Sequence, residues 1–130
     1  AEPFKQAKKG LLALARERGW ELSERDVSLR DAARALTAIE RAFPGGQQRG
    51  LSLYADAVEL LAEHEIPEDW APEDSPEATL RYALLGTVMF EPLILAMRRM
   101  AHVARTRKIV AARTRAKQPK EAKPLTKRKR

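Results

Sequence analysis

The residues of this chain best suited to chemistry are the arginines near its C-terminal end, and the chemistry they suit is holding phosphate. Arg98, Arg99, Arg105, Arg107, Arg113 and Arg115, with Lys108 and Lys117, fall within twenty residues that contain no acid. A guanidinium is planar, always charged, and presents paired N–H donors that match two phosphate oxygens at once. Beyond them the basic residues become mostly lysines: Lys120, Lys123, Lys127, Arg128, Lys129 and Arg130. Flexible ammonium groups supply attraction to a phosphate backbone without fixed geometry. Residues 98–130 carry 14 Lys or Arg against one acid, Glu121, whereas residues 51–97 carry 10 acids against one base, Arg81. A chain so divided implies a polyanionic partner for its basic end. No aromatic residue follows Phe90, so base stacking has no platform there. Contact with phosphate and shape is expected, without a base-reading code.

Other chemistries find little support. The chain has no Cys, which excludes disulfides, thiolate metal sites and cysteine nucleophiles. His64 and His102 have no metal-ligand spacing. Asp69, Glu73 and Asp74 read as a solvated acidic connector, and neither a phosphate-cradling Gly-rich loop nor a nucleophile constellation is present. The protein is therefore expected not to be an enzyme, and to need no metal or cofactor. The run 31–36 begins like a helix-turn-helix, but Thr37 stands where a turn glycine belongs, so a single continuous helix is expected.

The elements that must carry the basic residues read as helical throughout. Apolar residues make up 44% of the chain, mostly Ala and Leu with few β-branched or aromatic types, which favours helix over strand. A first helix is predicted over 3–18, with Phe4, Ala7, Leu11, Leu14 and Ala15 on one face and Gly19 as its stop. Ser23 with Asp26, and Ser28 with Asp31, are candidate caps for a second helix over 28–43. That helix is expected to bury Leu29, Ala32, Ala33, Leu36, Ile39, Ala42 and Phe43. The glycine-rich loop 44–51 should lead to a third helix over 52–64 that buries Leu53, Ala57, Leu60 and Leu61. Pro67, Pro72 and Pro76 make 65–76 an irregular acidic connector. Ser75, Pro76 and Glu77 form a strong helix start, and a long helix follows to about 117, kinked or broken at Pro92. The expected fold is an all-α bundle of about four to five helices in one domain over 1–117, followed by a mobile basic tail over 118–130.

Residues 82–97 contain one charged side chain, Glu91. Sixteen residues fall short of the roughly 20 that span a bilayer, and an acid near the middle is unfavourable there. A buried helix of a bundle or an oligomer is expected instead, with no membrane span. Ala1 is what removal of an initiator Met leaves, and no apolar leader is visible, so a cytoplasmic location is expected. Together these features point to a non-catalytic, nucleic-acid-binding accessory subunit of a nucleoprotein assembly, engaging DNA or RNA through its phosphate backbone and associating with other subunits or with itself. Arg98, Arg99, Arg105, Arg107, Lys108, Arg113, Arg115, Lys117, Lys127, Arg128, Lys129 and Arg130 would make the contact, with Arg30, Arg34 and Arg49 as secondary contributors. The alternative is a helical adaptor for a protein partner, its basic tail serving localisation or docking to an acidic surface.

Overall fold

The computed structural model describes residues 1–45, 47–70 and 76–118, excepting the side chains of 47–49 and 70. Among these residues the fold is entirely helical: α1 (Glu2–Glu17), α2 (Val27–Ala42), α3 (Gln47–Glu65), a 3-10 turn (Glu68–Trp70) and α4 (Pro76–Lys117). The chain divides into two compact units, Ala1–Glu68 and Asp69–Arg130.

In the first unit, α1 carries Glu2 and Pro3 in its opening turn, where a carboxylate meets the positive end of the helix and a missing N–H costs nothing. Its C-terminus is closed by a pair of crossed backbone bonds. Trp20 N–H donates to the Ala15 carbonyl at 2.8 Å, and Gly19 N–H donates to that of Arg16 at 3.2 Å. This closure requires a left-handed residue after the cap, and Gly19 supplies it with φ 74°. Asp26 then stands in extended backbone as the N-cap of α2, and the Ser23 N–H donates to its Oδ2 at 2.9 Å. Ser28, read from the sequence as a possible cap, lies inside the first turn, because α2 begins at Val27. The helix continues through Thr37, whose hydroxyl donates to the Ala33 carbonyl at 2.7 Å.

The start of α1 (Pro3, Gln6, Ala7, Gly10) and the end of α2 (Leu36, Thr37, Glu40, Arg41) line one groove of about 600 Å³ with Pro44 and Leu51. The two helices therefore run antiparallel. Three of the four buried side chains here are alanines, Ala15, Ala33 and Ala55 of α3, and the fourth is Leu29. Alanines let helix backbones approach closely, so this core is held by proximity more than by volume. Phe4, Ala7, Leu11 and Leu14 are all at least partly covered, as the α1 periodicity implies, and Leu36 is half-buried. The outer positions of the α2 face, Ala32, Ile39, Ala42 and Phe43, are exposed.

The α3 face departs from expectation. The helix starts at Gln47, five residues before the predicted start, and takes Gly50 into its first turns. It does not bury Leu53, Ala57, Leu60 and Leu61; Leu53 and Leu60 are each 70% exposed. The face turned inward instead contains Leu51, Ala55 and Glu59, at i, i+4 and i+8, with the exposed Ser52 at its edge. Polar bonds to Arg18 and Trp20 fix this rotation, which hydrophobic periodicity cannot register.

In the second unit, α4 is unbroken across Pro92 and none of its side chains is buried. The sequence-based expectation of a helix break there is not met. Within 82–97, expected to be buried in a bundle or an oligomer, Leu84 and Val88 are exposed in the single chain and Ile94 is half-buried. Among the described residues α4 is the one helix long and apolar enough, by length and composition, to cross a membrane. Ser75, the expected cap of this helix, lies outside the described residues.

Three substitutions test the first unit. Ala33→Leu should destabilise by about 1–3 kcal/mol through overpacking, while Ala35→Leu on the exposed face stays within about 0.5 kcal/mol. Gly19→Ala should cost about 1–2 kcal/mol from backbone conformation, since the new methyl would meet nothing within 4 Å. Urea denaturation monitored by circular dichroism measures all three.

Candidate nucleic-acid interface

Arg98, Arg99, Arg105, Arg107, Lys108, Arg113, Arg115 and Lys117 all lie on the C-terminal half of α4, and all are exposed. At about 1.5 Å rise per residue, 98–117 spans roughly 28 Å. Eight positive charges over that length give about one per 3.5 Å, close to the phosphate spacing of a single DNA strand along the helix axis and half the charge density of the duplex. The segment therefore has, on average along its axis, a charge spacing similar to that of a single strand's phosphates.

The charges are also arranged around the helix. At about 100° per residue, Arg98, Arg105 and Arg113 share one side, with Arg99 and Lys117 on one flank and Lys108 and Arg115 on the other. Met100, Val103, Ala104, Val110 and Ala111 gather on the opposite side, interrupted by Arg107. Arg115 and Lys117 occupy the last turn, where the negative end of the helix dipole favours cations.

None of these eight side chains forms an ion pair with a carboxylate among the described residues. The ion pairs of those residues lie in the first unit: Arg18 with Asp56 and Glu59, and Arg34 with Asp31. Arg34 is thus already engaged, though by an exposed i, i+3 pair at 3.3 Å of the kind that contributes little. Arg30 is exposed on α2. The side chain of Arg49 and the tail residues Lys120, Lys123, Lys127, Arg128, Lys129 and Arg130 lie outside the described residues. His102 is exposed among the arginines, and His64 ends α3 as its last-turn basic residue. Among the described residues no cluster of three His, Cys, Asp or Glu is placed to hold a metal ion.

Sequence reading missed Arg18. Its Nη1 lies 2.6 Å from Asp56 Oδ1 and 3.2 Å from Glu59 Oε1, and its Nη2 donates to the Ser52 carbonyl and hydroxyl at 3.2 and 3.3 Å. The hydrogen bond to Asp56, opposed by partial desolvation and reinforced by the charges of Asp56 and Glu59, raises the guanidinium pKa above its already high value. Trp20 Nε1–H donates to the other Glu59 oxygen at 3.3 Å. Arg18 is consumed by structure, in contrast to the unpaired bases of α4. The available signal was Arg18-Gly19-Trp20 itself: two polar-tipped residues flanking a helix-terminating glycine.

No protein-family model, curated protein or solved structure matches the chain.

Like charges on 98–117 oppose the helix that displays them. Arg105 and Lys108 are three residues apart, and Arg113 and Lys117 four, and each such pair costs about 0.2–0.5 kcal/mol at low ionic strength. The far-ultraviolet helical signal of the full chain should therefore grow as salt is raised. A salt-independent signal would show that these charges do not sense one another.

Proposed function

We propose that this protein is a non-catalytic nucleic-acid-binding subunit of a larger nucleoprotein assembly, and that the C-terminal half of α4 is its contact surface. The observation that carries the reading is the set of eight exposed basic side chains over 98–117, none paired with a carboxylate among the described residues. Free cations at this density release condensed counterions when they meet a phosphate backbone, and that release drives binding. Arg98, Arg105 and Arg113 set the orientation, because arginine forks on an ordered helix fix donor directions. The basic residues of 118–130 add long-range attraction that draws the polyanion in. A bend at Pro92 lets the basic half follow the backbone.

On this reading α4 acts off the membrane. Residues 82–97 cover about 24 Å of helix against a hydrocarbon core of roughly 30 Å, and Glu91 lies near the middle of that stretch.

Duplex binding measured across a salt series should give a log–log slope of about −4.5 to −5.5, corresponding to five or six phosphates engaged, with little discrimination among unrelated sequences. A flat salt dependence would refute backbone contact. Reversing Arg105, Lys108 and Arg115 to Glu should abolish binding, whereas deleting 119–130 should mainly slow association. If the deletion abolishes binding and the triple reversal is silent, the contact belongs to the tail and α4 to a protein interface.

A further inference from the structure

The apolar stripe of α4 is continuous along almost the whole helix, through its basic half as well as its apolar one. Met89, Leu93, Ala96, Met100, Val103 and Val110 follow the alternating four-and-three spacing of a coiled-coil seam, with Arg107 holding the one place between Val103 and Val110. Every one of these side chains is exposed; Met89 and Met100 are 66% and 67% exposed. The positions beside the seam, Phe90, Met97, Ala104 and Ala111, are apolar too, which widens it into a face that packs against a neighbouring helix. A bilayer does not fit this pattern: it would cover 82–97 and leave Met100, Val103 and Val110 in water between arginines.

We propose that a second copy of this chain covers the stripe, with the two α4 helices paired antiparallel about a two-fold axis near Leu93–Ala96. Charge selects the direction. Residues 98–117 carry eight bases and no acid, whereas 76–97 carry Glu77 and Glu91 against Arg81 alone. Parallel pairing would set the two basic halves side by side along roughly 28 Å of helix. Antiparallel pairing sets each basic half against the slightly acidic, apolar half of the other copy. The spacing is self-complementary in that direction. Leu93 of one copy meets Ala96 of the other, Met89 meets Met100, and Arg107 reaches the ring of Tyr82, on which a guanidinium stacks well. The arginines opposite the stripe stay outward. The pairing does not rest on nucleic-acid binding.

The full chain has no Cys, so single cysteines report the pairing directly. Sedimentation equilibrium should give twice the chain mass of 14.6 kDa. Under mild oxidation Met89→Cys alone and Met100→Cys alone should remain uncrosslinked, because like positions in the two copies lie about 16 Å apart, beyond disulfide reach. An equimolar mixture of the two variants should form the mixed disulfide in high yield. Met100→Asp with Val103→Asp should give a monomer whose helical signal is retained. A monomeric native chain, efficient self-crosslinking of Met89→Cys, failure of the mixed disulfide, or flotation of the native chain with phosphatidylcholine vesicles would each overturn the proposal; the last would assign the apolar half to a bilayer.

Discussion

The first unit depends on one guanidinium. Its core of Ala15, Leu29, Ala33 and Ala55 is too small in volume to define how α3 lies on the α1–α2 pair, and the largest apolar side chains of α3 face outward. Arg18 supplies the missing definition. It binds two carboxylates and a serine spread over two turns of α3, so the helix cannot rotate or slide without breaking several bonds together. Trp20 repeats the attachment on the far oxygen of Glu59. Both side chains reach α3 because the glycine between them reverses the backbone at the end of α1. Backbone conformation, polar bonding and helix orientation thus form one causal sequence that starts from Gly19.

The second unit follows the opposite logic. In α4 the charges are left without partners in the described chain, and the apolar side chains are left uncovered. In isolation such a helix pays twice, through repulsion between like charges and through exposed hydrocarbon, and it gains only its own backbone hydrogen bonds. A polyanion on one side and an apolar surface on the other, the partners proposed above, would remove both costs. The two sides face apart around the helix, so the two kinds of association need not compete.

How much of this was legible in the sequence depended on which force set each feature. Helix content followed from Ala and Leu richness, the α1 stop from Gly19, and the continuity of α2 from the absence of a turn glycine at Thr37. Periodicity succeeded on α1, whose face meets α2 through apolar contact. It failed on α3, where Glu59 is half-buried against Arg18 while Leu53 and Leu60 face outward, and a hydrophobicity pattern cannot see an ion pair between residues some forty positions apart. It also failed to anticipate the unbroken passage through Pro92, since a proline removes one donor from a helix but leaves the other turns intact. The sorting of 98–117 into a basic surface and an apolar stripe interrupted by Arg107 follows from the sequence at about 100° per residue; the fold adds that α4 runs unbroken through it and buries none of its side chains.

Pro92 has a mechanical consequence. With no N–H at that position, the Val88 carbonyl lacks its helical partner, and the pyrrolidine ring crowds the same carbonyl. The remaining turns are closed on both sides, so compliance in α4 would concentrate at this one carbonyl. A force applied to either half would travel along it without loss of register and be taken up in part as bending at residue 92. A leucine there would restore the missing bond and make the whole helix a single beam.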